Sequence, residues 1–322
     1  MKRPPSLHLS AWGVYWDKYL QNHIETQGQE LKQIDLFLLH LDEKGDVVPA
    51  HSNFNELSSM IYELKQKYPL KHFYITIVND VITTPPKLKD PEIIHHILSN
   101  ENRRNNHINQ LLKFSELGDG IEIDYERVWV KDRELFTGFI KDLSVSLHAR
   151  KKKLSVVVQP KTKDELTNGA GAMDWQELGR YADQIKIMAY HFHYPGGPSG
   201  PVAPLYWVKE IGTLALSQIP QEKIWMAFTL SGFEWEEGAK GKSLDYSQAQ
   251  EKIVYKNIKL ERDEDLIPHY SEQGSKGITE GWFEDSISIQ KKITTLQEMG
   301  INQISYWRMG TGDSKIWEAH HE

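Results

Sequence analysis

An acidic alternation stands at Asp119-Gly120-Ile121-Glu122-Ile123-Asp124-Tyr125-Glu126. In a strand, the two-residue period sends Glu122, Asp124 and Glu126 to one face and Ile121, Ile123 and Tyr125 to the other. On a half-exposed strand that face would be a solvated wall. Between flanking strands the three carboxyls crowd together, and like charges that close cannot all be ionised. At least one then keeps a proton near neutral pH, which is what a general acid needs.

Positioning such a ladder takes a sheet, and the rest of the chain supplies one. Short apolar, β-rich runs predict strands near 7–14, 34–41, 72–78, 120–126, 154–159, 184–190, 223–230 and 301–307. Apolar i, i+3, i+4 spacing predicts helices over 54–67, 101–116, 131–149, 205–218 and 284–299, with Asn53 or Asn55 capping the first. Strand-helix alternation through eight units is the pattern of a closed parallel barrel whose site lies at the C-terminal strand ends, where Glu126 falls. The expected fold class is therefore α/β, a (β/α)8 TIM barrel spanning 1–322 as one catalytic domain. The alternation breaks once, between strand seven and helix seven. There, Gly232 to Ile278 reads as a small inserted α/β subdomain at the barrel mouth, with a helical signal at Asp245–Gln250 and a β-like run at Ile253-Val254-Tyr255.

Composition excludes several classes. A formal charge of −7 argues against nucleic-acid binding. The basic runs, Arg103-Arg104 and Arg150-Lys151-Lys152-Lys153, read as cations complementing helix ends. With no cysteine, disulfides and thiolate chemistry are out. No run is apolar enough to span a bilayer, and the opening Met1-Lys2-Arg3-Pro4-Pro5 leads into a strand rather than the apolar stretch of a cleaved signal.

Other stretches invite chemistry and then lose it. Gly238-Ala239-Lys240-Gly241-Lys242-Ser243 fails as a phosphate loop, because Glu236 stands where its first glycine should be. Pro195-Gly196-Gly197-Pro198-Ser199-Gly200-Pro201 reads as a rigid loop at the mouth. His191 and His193 alternate at a strand end, and His40 and Asp42 could be offered beside them, but no metal spacing signature links these residues. No metal or other cofactor is expected, and the two histidines fit sugar hydroxyls or a neighbouring carboxylate better. Of the ten Trp, Trp12, Trp16, Trp129, Trp207, Trp235 and Trp307 sit beside strand ends, where an indole packs the core or stacks on a sugar.

These residues resemble glycoside hydrolase family 18. Its strand-four signature, Asp-Gly-x-Asp-x-Asp-x-Glu, is met at 119–126 with Glu122 in place of the central Asp. Lys186-Ile187-Met188-Ala189-Tyr190, His193, Gly200-Pro201-Val202-Ala203-Pro204, Trp282-Phe283-Glu284-Asp285-Ser286 and Ile304-Ser305-Tyr306-Trp307-Arg308-Met309-Gly310 are similar to its YaaH or SleL-like branch, whose members trim spore cortex or other peptidoglycan. The resemblance implies substrate-assisted retention. Glu126 would protonate the glycosidic oxygen, Asp124 would hold the acetamido N–H, and Tyr190 would orient the attacking acetamido carbonyl. Glu122, Trp307, His191, His193, Trp12 and Asn79 would bind substrate. Three departures stand out: His191 follows Tyr190 where the family has Asp, Ser231 replaces a Tyr, and nothing resembles a LysM wall-binding module.

The expected partner is thus an N-acetylated glycan, peptidoglycan fragments first, for a monomer acting without nucleic acid or membrane. The resemblance favours the cell envelope or the spore. Chitin oligomers or N-glycan cores are the alternative substrates, and a catalytically silent sugar-binding barrel is the alternative class. Family relatives without activity typically lack the terminal Glu of the motif, and Glu126 is present.

Overall fold

The computed structural model describes residues 6–50, 54–274 and 277–318. In chain order, β1 (His8–Val14), α1 (Leu20–Thr26) and β2 (Gln33–Leu41) are followed by a short return strand β3 (Val47–Pro49), α2 (Phe54–Lys67) and β4 (His72–Val81). Then come α3 (Pro91–Leu98), α4 (Glu101–Phe114), β5 (Gly120–Asp124), α5 (Arg133–His148), β6 (Lys153–Val158), α6 (Trp175–Tyr181), β7 (Gln184–Met188), α7 (Leu205–Gln218) and β8 (Ile224–Thr229). The inserted segment holds β9 (Gly232–Glu236), β10 (Lys242–Leu244), α8 (Tyr246–Lys256), β11 (Glu261–Arg262), β12 (Pro268–Gly274) and β13 (Gly277–Trp282). The chain then finishes with α9 (Ser286–Glu298) and β14 (Gln303–Trp307).

Eight strands pair in parallel in the order β1-β14-β8-β7-β6-β5-β4-β2, and pairing of β1 with β2 closes the ring. The protein is a (β/α)8 TIM barrel. Its alternation explains the two cores. Outward residues such as Ile34, Leu36, Ile75, Ile121, Ile123, Val156 and Ile187 pack in one cluster beneath the helices. Inward residues nearer the C-terminal rim, among them Trp12, Phe37, Val78, Val157, Met188 and Tyr190, form a second cluster inside the mouth. Deeper inside, the barrel is polar: Ser10 bonds Ser305 at 2.8 Å, and Asp35, Glu122 and Lys186 are fully buried together.

The segment after β8 folds as a five-stranded antiparallel sheet, β10-β9-β13-β12-β11, carrying α8. It reaches Trp282, four residues past the expected boundary. It meets the proline-glycine loop through Gly241 N–H to Pro195 O (2.8 Å) and Ser199 to Glu280. Ile253-Val254-Tyr255 is helix, not strand: Asp245 and Gln248 form a capping box, and Asn257 ends α8 in the left-handed region, so the caps override β-branched propensity.

Three helices were not expected from periodicity: α1, α3 and α6. Two announce themselves through caps, Asp90 before Pro91 and Asp174 before Trp175. Asn55 lies within α2 and cannot cap it, whereas Asn53 and the opening Met1–Pro5 lie outside the described residues. Arg103 and Arg104 occupy the first turn of α4, the wrong end for a cation. Arg103 instead donates to His96 O near the end of α3 at 2.7 Å.

Candidate active site

A cleft of about 1090 Å³ opens at the C-terminal ends of the strands, and Asp124, Glu126, Tyr190, His191, Trp12, Asn79 and Trp307 line it. Its construction starts at β5. Gly120 accepts no larger residue, since a Cβ there would lie 2.6 Å from Lys153 O and from the Tyr74 ring. At the opposite end of the barrel, Asp119 takes the Phe73 N–H at 2.9 Å and pairs with Lys65 at 2.8 Å, so this first acid of the motif is a fastening.

The ladder splits by depth. Glu122 is fully buried and accepts from Trp12 Nε1 (2.6 Å), Thr76 Oγ1 (2.9 Å) and Ser155 Oγ (2.8 Å), with Lys186 Nζ at 2.6 Å. It does not reach the cleft, so its expected role in substrate binding gives way to one of holding the Trp12 indole. Asp124 forms the floor at 8% exposure, and its Oδ1 has no hydrogen-bond partner among the described residues. Burial first, then the charge of Glu126, raises its carboxyl well above the ordinary aspartate range, against the pull of Lys89.

Glu126 lies past the strand, which ends at Asp124 rather than at 126. Asn79 of β4 holds its backbone on both sides. Asn79 Oδ1 accepts the Glu126 N–H at 2.9 Å, and Asn79 Nδ2 donates to Glu126 O at 2.8 Å and to Asp90 O at 3.2 Å. Asn79, expected to bind substrate, thus positions Glu126 while also lining the cleft. The Glu126 side chain, 14% exposed, pairs with Lys89.

Tyr190 is buried, and burial together with Asp124, Glu126 and Glu122 raises its hydroxyl well above the ordinary tyrosine value. It therefore stays a proton-bearing donor. Trp307 packs edge-on against Trp12 (5.9 Å between centroids) and Phe37 (5.7 Å), leaving indole surface toward the cleft. His191 stands at the rim at φ +68°, edge-on to Tyr190 at 4.9 Å, and desolvation and Lys89 hold its ring below the ordinary imidazole value. His193 turns away: its Nδ1 donates to Pro198 O at 3.0 Å, bracing the proline-glycine loop, so it is not a substrate contact. Asp42 accepts the Lys44 and Asp46 N–H groups in the turn before β3, and among the described residues no cluster of three His, Asp or Glu could hold a metal.

Among the cleft residues without a functional assignment from sequence are His40 and Lys89. A register shift between Phe37 and Leu39 against β4 resets the alternation in β2, which brings His40 to the cleft. His40 is 6% exposed, and neither ring nitrogen has a hydrogen-bond partner among the described residues. Lys89 sits in the loop after β4, where no spacing in the sequence ties it to Glu126.

The model of glycosyl hydrolases family 18 matches residues 88–312. The putative sporulation-specific glycosylase YdhD of Bacillus subtilis is 30% identical over 229 residues, covering 69% of this chain and 54% of the relative. The cortical fragment-lytic enzyme of Bacillus anthracis is 33% identical over 208 residues, covering 61% and 47%. The chain thus spans about half the length of these relatives. Among solved structures, the Bacillus cereus spore cortex-lytic enzyme SleL superposes with a TM-score of 0.87 at 25% identity, over 98% of this chain and 74% of its own. A chitinase from Chromobacterium violaceum superposes with a TM-score of 0.88 at 21% identity, over 98% of each chain.

Proposed function

The chain belongs to the glycosyl hydrolases of family 18, and from that premise we propose that it cleaves β-linked N-acetylglucosamine in peptidoglycan or its fragments, with retention, through the substrate's own acetamide. Glu126 donates the proton to the leaving oxygen. The acetamido carbonyl attacks the anomeric carbon and closes an oxazolinium ring, and water reopens it as Glu126 takes a proton back. With the proton on Glu126, the charge that helps raise Asp124 is gone, and Asp124 as carboxylate accepts the acetamido N–H and balances the positive charge that develops on it. The Tyr190 hydroxyl donates to the carbonyl oxygen and aims it, and Trp307 stacks beneath the sugar.

The observation that carries this reading is the state of Asp124. It is a buried carboxyl with an unpartnered oxygen, next to an acid whose backbone is clamped and beneath a tyrosine that keeps its proton. A buried acceptor without a donor is costly, and a ligand N–H meets that need. Peptidoglycan is preferred as substrate because relatives named as cortical fragment-lytic enzymes are 33% and 32% identical, against 22% for a relative named as a class V chitinase.

The test is digestion of defined muropeptides and chitin oligomers with product masses read out, with and without a thiazoline mimic of the oxazolinium ion. Release of N-acetylglucosamine from muropeptides, blocked by the thiazoline, is the expected result. Turnover of chitin oligomers alone overturns the substrate, indifference to the thiazoline overturns the mechanism, and binding without turnover of anything makes the protein a silent sugar binder.

A further inference from the structure

Among the described residues lining the cleft, Lys89 alone carries a lysine or arginine charge. The two cleft histidines do not compete with it, since burial holds both His40 and His191 below the ordinary imidazole value. The carboxyls lining the cleft are Asp80, Asp124 and Glu126, and the two tyrosines there, Tyr15 and Tyr190, have hydroxyls raised above the ordinary value by burial first.

The backbone presenting Lys89 is fixed from both sides. Val81 and Lys87 exchange two backbone hydrogen bonds, at 2.8 and 3.1 Å. Asp80 Oδ1 accepts the Lys89 N–H at 2.7 Å, and Asp90 both donates to Asn79 O at 2.9 Å and caps α3. Between these anchors Lys89 takes a left-handed φ of +55°. A lysine held in that region is strained, and such residues persist where their surroundings over-determine them. One carboxylate oxygen of Asp80 thus serves the loop.

The Lys89 ammonium meets Glu126 Oε1, and the lysine side chain, 42% exposed, lines the cleft. That pair cannot outlast substrate binding. To protonate a leaving oxygen, Glu126 must carry a proton and turn to the glycan, which leaves the ammonium beside the bond that breaks. In a 1,4-linked hexosamine polymer the leaving oxygen is O-4 of the departing sugar, and the adjacent carbon bears O-3. In N-acetylglucosamine that position is a hydroxyl. In muramic acid it carries a lactyl group ending in a carboxyl.

We propose that Lys89 recognises an acidic substituent on O-3 of the departing sugar, so that the cleft selects muramic acid with a free carboxylate on that side over a neutral hexosamine. The proposal rests on the hydrolase reading above and narrows its substrate. Lys89 exchanges one carboxylate partner, Glu126, for another on the glycan. The acid is thereby released to its task only when the matching sugar is in place.

The experiment compares a glycan whose departing sugar is muramic acid with a free lactyl carboxylate and the same glycan with that carboxyl as its methylamide. It reads kcat/KM for both in the unmodified protein, Lys89→Gln and Lys89→Arg. Removing Lys89 from Glu126 alters proton transfer to both substrates alike, so that effect cancels in the acid-to-amide ratio. The ratio is expected to be about 10 or more in the unmodified protein, near 1 in Lys89→Gln and largely restored in Lys89→Arg, the scale of one charge-assisted contact. A ratio unchanged by Lys89→Gln overturns the proposal and leaves the hydrolase reading standing. Calorimetric binding of the same pair to Glu126→Gln and to Glu126→Gln/Lys89→Gln gives a readout without turnover. A preference for the acid that disappears with Lys89 supports the proposal even if no glycan is cleaved, and equal binding of acid and amide to Glu126→Gln overturns it.

Discussion

Lys186→Met tests the charged layer beneath the active site. Lys186 extends from β7 into the barrel interior, where it pairs with Asp35 and, at 2.6 Å, with Glu122 Oε2, all three side chains at 0% exposure. Its ammonium lies 4.9 Å from the Trp12 ring and 5.7 Å from that of Trp225. At an effective dielectric of about 20, one unit-charge pair at 2.6 Å attracts by about 6 kcal/mol, and desolvation of the ions offsets much of it. Deleting one partner of a buried ionic group, which strands the other, costs about 3–5 kcal/mol. Methionine keeps the length of the chain and removes the charge, so the loss is electrostatic. At about 2–3 °C per kcal/mol, Tm at pH 7.5 should fall by about 6–15 °C.

The deficit should also depend on pH, with a definite sign. Burial, and then the charge of Glu122, raises Asp35 to about 6, while Lys186 pulls it down. A carboxyl raised in the folded state binds its proton more tightly there than in the unfolded chain. Its contribution therefore falls as pH rises from about 4 through 6. Without Lys186 the opposing pull is gone, Asp35 moves higher still, and the penalty for ionising it grows at neutral pH. Thermal and urea unfolding from pH 8 to 5 should show a gap between variant and unmodified protein that narrows steadily on acidification. A gap below about 1 kcal/mol at pH 7.5, or one of constant size across that range, would show that the buried triad does not carry the energy assigned to it.

Two further substitutions separate chemistry from support. Glu126→Gln should lower kcat by about 10²–10⁴, because the proton donor is lost, and leave Tm nearly unchanged, because the side chain's ion pair is with a half-exposed lysine. Steady-state rates above a tenth of normal would remove Glu126 from the mechanism. Asn79→Ala should cost about 1–3 kcal/mol in urea unfolding, since it strips both backbone bonds from Glu126, and should depress kcat more than it changes KM. An unaltered kcat would mean that the clamp does not position the acid.

What could be read from the sequence was periodic, and what could not was made by long-range register or by polar partners. The barrel was legible because its strands are buried on both faces and alternate with amphipathic helices, as in Gln33–Leu41 followed by Phe54–Lys67. Trp307 was legible as an aromatic residue beside a strand end, whereas Tyr190 entered through the family resemblance. His40 could not be read, because a bulge in β2 reverses the parity that would have sent it outward. Lys89 could not either, since its meeting with Glu126 depends on a left-handed residue in a loop. His193 looked like a site residue because it sits two positions from His191. Its partner is instead the carbonyl of Pro198 across a turn, a local bond that spacing cannot reveal.

The acid ladder itself carries the deeper lesson about how one motif makes a site. Side chains on one face of a strand recur about every 6.6 Å, so Glu122 and Asp124 lie at successive depths, with Glu126 past the strand's end, rather than in one cluster. Each acid meets a different medium instead. Glu122 lies among four donors and serves as structure, Asp124 lies at the boundary where burial keeps its proton affinity high, and Glu126 lies beyond the strand where a cleft can reach it. The proton affinity of Asp124 is thus raised by depth first and by the charge of Glu126 second. Moving the motif one layer inward would place Glu126 where Asp124 now sits and take away both the clamp and the lysine. The position at which β5 stops, immediately after Asp124, is therefore as much a part of the catalytic design as the identity of the acids, and Asn79 takes up Glu126 where the ladder of strand hydrogen bonds ends.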